Sequence, residues 1–211
     1  MVVCRKYLQI AKVQLKLTLF INLLLAIAIV LLAPVLFGIK NLDSMASSMV
    51  LERYVSLTGV ILCTPLFLPE QDSGIKELIE SKYTSLTGTY IIRLGLALTS
   101  LLGMIGCFIA IMQLNECQFA AGPYLFGTFA TAVFLGALGF AAYALADNVV
   151  VGYMLPLGYY MLNTFAPDKL SHFQLFTLST GSLNDKYWLS AGAALLLIAG
   201  IAYRLILRRI R

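Results

Sequence analysis

The chain has 211 residues, of which 60% are hydrophobic and 12% are Asp, Glu, Lys or Arg, and its mean hydropathy is +0.89. So few charged side chains cannot cover the surface of a soluble domain, which excludes a soluble globular protein and predicts an integral membrane protein. The formal net charge of +5 does not indicate a nucleic-acid partner, because the basic residues flank apolar runs instead of forming one face.

The N-terminal segment 1–16 predicts an amphipathic helix that lies on the membrane surface. Its apolar residues alternate loosely with Arg and Lys, which is the pattern of an interfacial helix leading into a first span. The apolar run that follows, 17–39, is too long for the hydrophobic region of a secretory signal. We therefore expect a retained span and not a cleaved leader.

Six apolar runs approach the length of roughly 20 residues that a helix needs to cross about 30 Å of hydrocarbon. They are 17–39, 54–68, 94–113, 122–145, 149–165 and 187–207. The N-terminal turns of the second span are expected to come from 45–53. Gly152, Pro156 and Gly158 predict a bend in the fifth run, and the segment 166–186 predicts short hairpin helices that dip back into the outer leaflet. The predicted fold class is an all-α integral membrane protein with six transmembrane helices in one domain, 1–211.

The basic residues orient these spans, because Lys and Arg near the ends of spans resist translocation. With odd spans running outward, both termini and the loop 69–89 are cytoplasmic. The connection 146–148 is then cytoplasmic too, although Asp147 is its only charged residue. Of the 15 Lys and Arg residues, eleven lie on the cytoplasmic side and four lie outside, which are Lys40, Arg53, Lys169 and Lys186.

The sequence of the loop 69–89, which this topology makes cytoplasmic, predicts a short amphipathic helix. Ile75, Leu78 and Ile79 share one stripe at spacings i, i+3 and i+4, while Glu77 and Glu80 point elsewhere. A helix this short is marginal by itself in water. Its apolar stripe is therefore expected to rest on the lipid headgroups or on a partner protein.

Small residues in three spans predict close contacts between helices, in this chain or with another, because they let backbones approach. They are Gly95, Gly103 and Gly106 in span three, Ala132, Gly136, Gly139 and Ala141 in span four, and Ala191, Gly192 and Ala194 in span six. Span four also carries aromatic residues that would suit the path of an apolar cargo, core packing or contact with lipid, namely Phe126, Phe129, Phe134, Phe140 and Tyr143.

Motifs for catalysis and nucleotide binding are absent from the sequence. It contains no G-x-x-x-x-G-K-[ST], H-E-x-x-H or G-x-S-x-G, so we expect neither an enzyme nor an ATP site in this chain. The lone His172 is interpreted as a solvated loop residue, and the four cysteines as apolar fillers, so no metal site is predicted. Arg93, Glu116 and Asp147 lie near predicted span ends, and the lack of a central charge counts against ion coupling.

In layout, the sequence resembles a permease subunit of the type-2 ABC transporter superfamily. The resemblance covers the whole chain as an order of elements, whereas sequence character is confined to the loop 70–82. In that family, the loop after span two is a coupling helix that docks in a cleft of a separate ATPase subunit. The residues implied to couple to the ATPase are Glu70, Gly74, Ile75, Glu77, Leu78, Ile79, Glu80 and Lys82.

The resemblance further implies two ATPase subunits and a second permease, identical or homologous, with the substrate path between the permeases. ATP and Mg would bind to the ATPases and no cofactor to this chain. The family implies alternating access that moves a hydrophobic or amphipathic molecule, such as a peptide or a lipid-like compound, out across a bacterial plasma membrane. That the molecule is exported and not imported follows from the resemblance alone.

Two other classes of function remain open from the sequence. One is the substrate-binding membrane component of an energy-coupling-factor importer, which has a similar length and number of spans. Such a component docks through small residues on span one, where this chain has scattered alanines and no sustained small-residue stripe. The other is a structural membrane protein without transport activity.

Overall fold

The computed structural model describes residues 19–70, 86–166 and 173–210, and within these ranges the chain is helical and has no strand. The α-helices are α1 (Phe20–Phe37), α2 (Ser44–Met49), α3 (Thr58–Cys63), α4 (Leu86–Leu114), α5 (Ala121–Ala146), α6 (Val149–Phe165) and α7 (Asn184–Ile210). One π-helix, Val50–Tyr54, and three 3-10 helices, Val55–Leu57, Thr64–Glu70 and Leu178–Thr180, complete the described elements. The predicted N-terminal helix 1–16 lies outside the described residues.

Five of the described helices are long and apolar enough to cross a membrane. They are Phe20–Phe37, Ser44–Leu68, Tyr90–Leu114, Ala121–Ala146 and Asn184–Ile206. The protein is therefore an all-helical, multi-pass membrane protein. The fifth run of the sequence forms α6, a helix of 17 residues, and its role as a sixth span stays a prediction.

The second span, Ser44–Leu68, is made of different kinds of helical turn and has a kink at Pro65, whose backbone angles are not helical (φ -83°, ψ 18°). Asp43 caps its start by accepting a hydrogen bond from the backbone N of Ala46 at 2.8 Å. Further along, the hydroxyls of Ser56 and Thr58 donate to backbone carbonyls four and three residues earlier. Such side-chain bonds compete with the regular α-helical pattern, which fits the change from α to π and 3-10 turns here.

The second span and α5 form the centre of the bundle. In their most apolar stretches, 78% of the second span and 72% of α5 is buried, against 17% of α1, 28% of α4 and 22% of α7. The outer helices therefore present most of their apolar side chains to the surrounding lipid, and the two inner helices present theirs to protein.

Glycines let the inner helices approach to backbone contact. A Cβ added at Gly59 would lie 2.0 Å from the carbonyl oxygen of Ala132, and one at Gly136 would lie 2.6 Å from the carbonyl oxygen of Gly59. Similarly, a Cβ at Gly139 would lie 2.8 Å from the carbonyl oxygen of Gly152. The small residues of span four thus contact helices of the same chain.

The glycines of span three behave differently. A Cβ added at Gly95 or Gly103 would meet no atom within 4 Å, and one at Gly106 would meet only the Leu125 side chain, at 3.7 Å. The predicted close helix contact at Gly95 and Gly103 is therefore not made within the described part of this chain.

The two ends of the bundle are distinct. We call residues 173–183, between α6 and α7, the strap, and the end of the bundle that carries it the strap end. At this end the loops 38–43 and 115–120 are joined, since the backbone N of Asn41 donates to the carbonyl of Asn115 at 3.0 Å. The opposite end, from which the loop 69–89 emerges, is the loop end.

At the loop end, a two-residue turn connects α5 to α6. Asp147 adopts a left-handed conformation (φ 51°) that ends α5, and the Asn148 side chain caps α6 by accepting a hydrogen bond from the backbone N of Val150 at 2.8 Å. The Asp147 carboxylate pairs with Arg204 of α7 at 2.5 Å. The basic residue that the sequence of this connection lacks is thus supplied by a distant helix.

The crossing at Gly59 can be tested by adding one methyl group. Gly59→Ala should destabilise the protein by about 1–3 kcal/mol, because the new Cβ overlaps backbone atoms that have no room to move. Gly103→Ala is the matched control, and it should be neutral or stabilising by up to about 1 kcal/mol, because alanine favours a helix and the site is open. Thermal unfolding in detergent, followed by circular dichroism, measures both. Equal shifts of Tm in the two variants would contradict the observed crossing.

Candidate functional site

Seven of the eight residues predicted to couple to an ATPase lie outside the described residues. The eighth, Glu70, ends the 3-10 helix Thr64–Glu70 at the loop end, and its side chain is not described. Their role in coupling therefore stays a prediction. What the structure does describe is how the two ends of the loop are attached to the bundle.

Arg93 of α4 joins the two spans that flank the loop. Its side chain is 2% exposed and donates a hydrogen bond to the carbonyl oxygen of Leu66 at 3.0 Å. Beside it, the rings of Phe67 and Tyr90 meet edge to face with centroids 5.2 Å apart. Although Arg93 lies near a span end, its guanidinium is enclosed by protein and is bonded to the end of the neighbouring span.

A buried ion pair lies near the strap end. Glu52, on the π-helical turn of the second span, is 1% exposed, and Lys186, in the first turn of α7, is completely buried. Their carboxylate and ammonium groups form a direct salt bridge. The distribution of basic residues predicts that Lys186 lies on the outer side of the membrane, and the pattern of apolar runs does not single out Glu52.

The polar groups around this pair satisfy its hydrogen-bonding capacity. The ammonium of Lys186 also donates to the hydroxyl of Thr131 on α5 at 2.8 Å and to the carbonyl oxygen of Leu175 in the strap. The Glu52 carboxylate accepts from the backbone N of Leu178 at 3.1 Å. All three ammonium donors are therefore used, which offsets the cost of removing both charges from water.

The strap is anchored to α6 by further hydrogen bonds to its backbone. The side-chain oxygen of Asn163 accepts from the backbone N of Leu175 at 2.7 Å, and the Tyr159 hydroxyl donates to the carbonyl of Phe173 at 2.6 Å. Irregular backbone at membrane depth is tolerated only where protein satisfies its polar groups. The described part of the predicted hairpin, which contains one 3-10 turn, therefore packs into the bundle and not into lipid.

A glycine on α5 makes room for the strap. A Cβ at Gly127 would lie 2.7 Å from the Cδ2 atom of Leu178, so the leucine side chain packs directly over the glycine. Leu178 also supplies the backbone N that bonds Glu52. One residue of the strap thus combines an apolar contact with α5 and a polar contact with the second span.

The aromatic residues of span four divide between two environments. Phe134, Phe140 and Tyr143 are 5%, 1% and 0% exposed, and the rings of Phe140 and Tyr143 pack against Phe67 with centroids 4.5 and 5.8 Å away. For these three residues, core packing is the correct interpretation. Phe126 and Phe129 are half-buried.

The sequence contains a signal for the buried pair, but a search for apolar runs does not reveal it. Glu52 lies in the turns added to the second run, and Lys186 immediately precedes the sixth run. Opposite charges at the same end of two spans are expected to pair, because an unpaired charge in the membrane is costly. Since the sequence does not show which spans are neighbours, this pairing needs the tertiary structure.

No three metal-ligating side chains of the His, Cys, Asp or Glu type cluster within residues 19–70, 86–166 and 173–210. His172 lies outside these ranges. Comparisons with protein-family models, curated proteins and solved structures found no match. We therefore infer function from the residues and contacts of this chain.

Removing one partner of the buried pair should be more harmful than removing both charges. Lys186→Met leaves the Glu52 carboxylate buried without compensation and should lower the free energy of unfolding by about 3–5 kcal/mol. Adding Glu52→Gln should restore most of this loss, because glutamine is neutral and keeps an acceptor for the Leu178 N–H. Denaturant unfolding in detergent micelles compares the variants.

Lys40→Met is the control for this experiment, since Lys40 is an exposed lysine at the same end of the bundle. It should leave stability within about 0.5 kcal/mol of wild type. A double variant that is as unstable as Lys186→Met alone would show that the charge left unpaired is not the cause of the loss.

Proposed function

We propose that the protein is the transmembrane subunit of an ATP-driven ABC exporter. It would form, with a second identical or homologous permease, a substrate pathway coupled to two separate ATPase subunits that bind ATP and Mg. The amphipathic loop sequence around Ile75, Leu78 and Ile79 motivates the ATPase partner. The observation that carries the proposal is the second span, which leads into that loop and reaches the strap end through a series of helical turns with one kink, at Pro65.

The second span is attached to neighbouring helices near both of its ends, by a hydrogen bond at one and an ion pair at the other. Near the loop it is tied to α4 through Arg93 and Leu66, and near the strap it is tied to α7 through Glu52 and Lys186. A push on the loop by a closing ATPase pair would therefore move the second span together with its neighbours. This arrangement supports alternating access, in which the strap end opens when the ATPases close.

The cargo of the proposed exporter is a hydrophobic or amphipathic molecule, such as a peptide or a lipid-like compound, and its path lies between the two permeases. The core role of Phe134, Phe140 and Tyr143 supports a path at the surface of this subunit and not through its centre. The membrane lipid is then in direct contact with the path.

The charges at the loop end support a cytoplasmic location for that end and for both termini in a bacterial plasma membrane. Arg93 and Arg204 both lie there, and Arg204 neutralises Asp147 in the connection that has no basic residue of its own. Positive charge retained at one end of a bundle is the usual mark of its cytoplasmic side.

The ATPase partner can be tested at Leu78. Purification of the tagged chain from native membranes should recover a P-loop ATPase in an equimolar amount together with ATP hydrolysis. Leu78→Asp should reduce both at least tenfold, because a carboxylate in an apolar docking stripe loses the burial of the leucine and adds a desolvation cost.

Ser81→Asp is the matched control, because it adds the same charge outside the stripe of Ile75, Leu78 and Ile79. It should retain the ATPase. Recovery of the ATPase with Leu78→Asp at the wild-type level would refute the proposal. A tightly bound vitamin in the purified chain, without an ATPase, would instead favour the energy-coupling-factor class.

The orientation can be tested with single cysteines in a background without the four native ones. Lys40→Cys should react in intact cells with a maleimide that cannot cross the membrane, because Lys40 lies at the strap end. Ile75→Cys should react only after the cells are permeabilised. Labelling of Ile75→Cys in intact cells would place the loop outside and remove the basis for coupling to a cytoplasmic ATPase.

A further inference from the structure

A groove with a volume of about 420 Å³ opens on the lipid-facing surface near the strap end. It lies between the C-terminal end of α1, the first turns of the second span and α6, with Phe37, Met49 and Leu57 among its apolar walls. Pockets for small molecules have volumes of about 300–1,000 Å³, with mostly apolar walls and a few polar groups that fix orientation. The groove fits that description, and Arg53 provides its charge.

Arg53 is exposed inside a helix that crosses the membrane. Its guanidinium lies over the ring of Phe176, 5.3 Å from the centroid, and among the described residues it has no carboxylate partner and no hydrogen-bond acceptor. A charged side chain in a span is costly unless it is paired or reaches the membrane surface. This arginine therefore has donors to spare in a position that favours an anion.

The nearby carboxylates do not satisfy Arg53. Glu52 points the other way, into the buried pair with Lys186, and the Asp43 carboxylate caps α2 at the backbone N of Ala46. The Tyr160 hydroxyl, which also lines the groove, donates to the carbonyl of Arg53 at 3.0 Å and so fixes the backbone on that side. The anion that pairs with the guanidinium has to come from outside the described chain.

We propose that this groove binds an anionic phospholipid from the leaflet at the strap end. The acyl chain lies along Phe37, Met49 and Leu57, and the phosphate pairs with the Arg53 guanidinium, whose planar fork suits phosphate oxygens. The groove opens directly onto lipid, beside exposed apolar side chains of α1 such as Leu36, so the bilayer is in place to supply the ligand. The proposal of a lipid site does not depend on the proposed transport function.

The test compares retention of two lipids that differ only in charge. The full chain is reconstituted in nanodiscs with equal amounts of phosphatidylglycerol and phosphatidylcholine carrying the same acyl chains, released in detergent, and examined by native mass spectrometry. Wild type should retain phosphatidylglycerol over phosphatidylcholine by about fivefold, as expected for one additional phosphate–arginine attraction. Arg53→Gln should abolish this preference, and Lys40→Gln, at an exposed lysine of the same end, should preserve it.

A second variant distinguishes binding in the groove from the charge preference that Arg53 provides. Ala46→Phe places a ring in the groove that Ala46 lines and should reduce retention of both lipids, while the preference between them in the remaining adducts persists. Three results would overturn the proposal: equal retention of both lipids by wild type, loss of preference in Lys40→Gln as large as in Arg53→Gln, or a wild-type dimer that Ala46→Phe dissociates. The last would show that a second copy of the chain covers the groove.

Discussion

The buried pair of Glu52 and Lys186 connects parts of the chain that are 134 residues apart in sequence. Each charge is enclosed by protein, so each depends on the other and on the hydroxyl and backbone groups around them. Those groups belong to the second span, α5, the strap and α7, and the bonds are short and directional. A change in the register of any one of these elements would leave a buried charge or a backbone group without its partner, which makes the pair a strong constraint on how the strap end is assembled.

Charged side chains are accommodated differently at the two ends of the bundle. At the loop end, Arg93 donates a hydrogen bond to the carbonyl of Leu66. Arg204 pairs with the carboxylate of Asp147, and its guanidinium carbon lies over the Phe67 ring, 4.9 Å from the ring centroid. At the strap end, Lys186 is neutralised by Glu52, and the side chain of Arg53 is exposed. The second span contributes to both ends. These contacts support the proposal that a force applied to the loop 69–89 would be transmitted to the strap end.

The glycine contacts bring the central helices unusually close to one another. Gly59 with Ala132, and Gly139 with Gly152, bring three helices to backbone contact, where there is no flexible side chain to absorb a displacement. The outer face of α4 lacks this kind of contact, since Gly95 and Gly103 have open space around them. The central crossing is therefore expected to move as a unit, and the periphery exchanges contacts with lipid or with other subunits.

The sequence by itself determined the class of protein and most of the helices, because hydropathy and the length of apolar runs are local properties that the bilayer selects directly. It also marked the small residues of span four and the amphipathic stripe at Ile75, Leu78 and Ile79. Only the tertiary structure decided that Lys186 is buried against Glu52, that Arg93 bonds the end of the neighbouring span, and that Gly136 packs inside the chain while Gly103 does not. The reason is that each of these outcomes depends on which helices are neighbours and which faces they turn to one another, and a single sequence records neither.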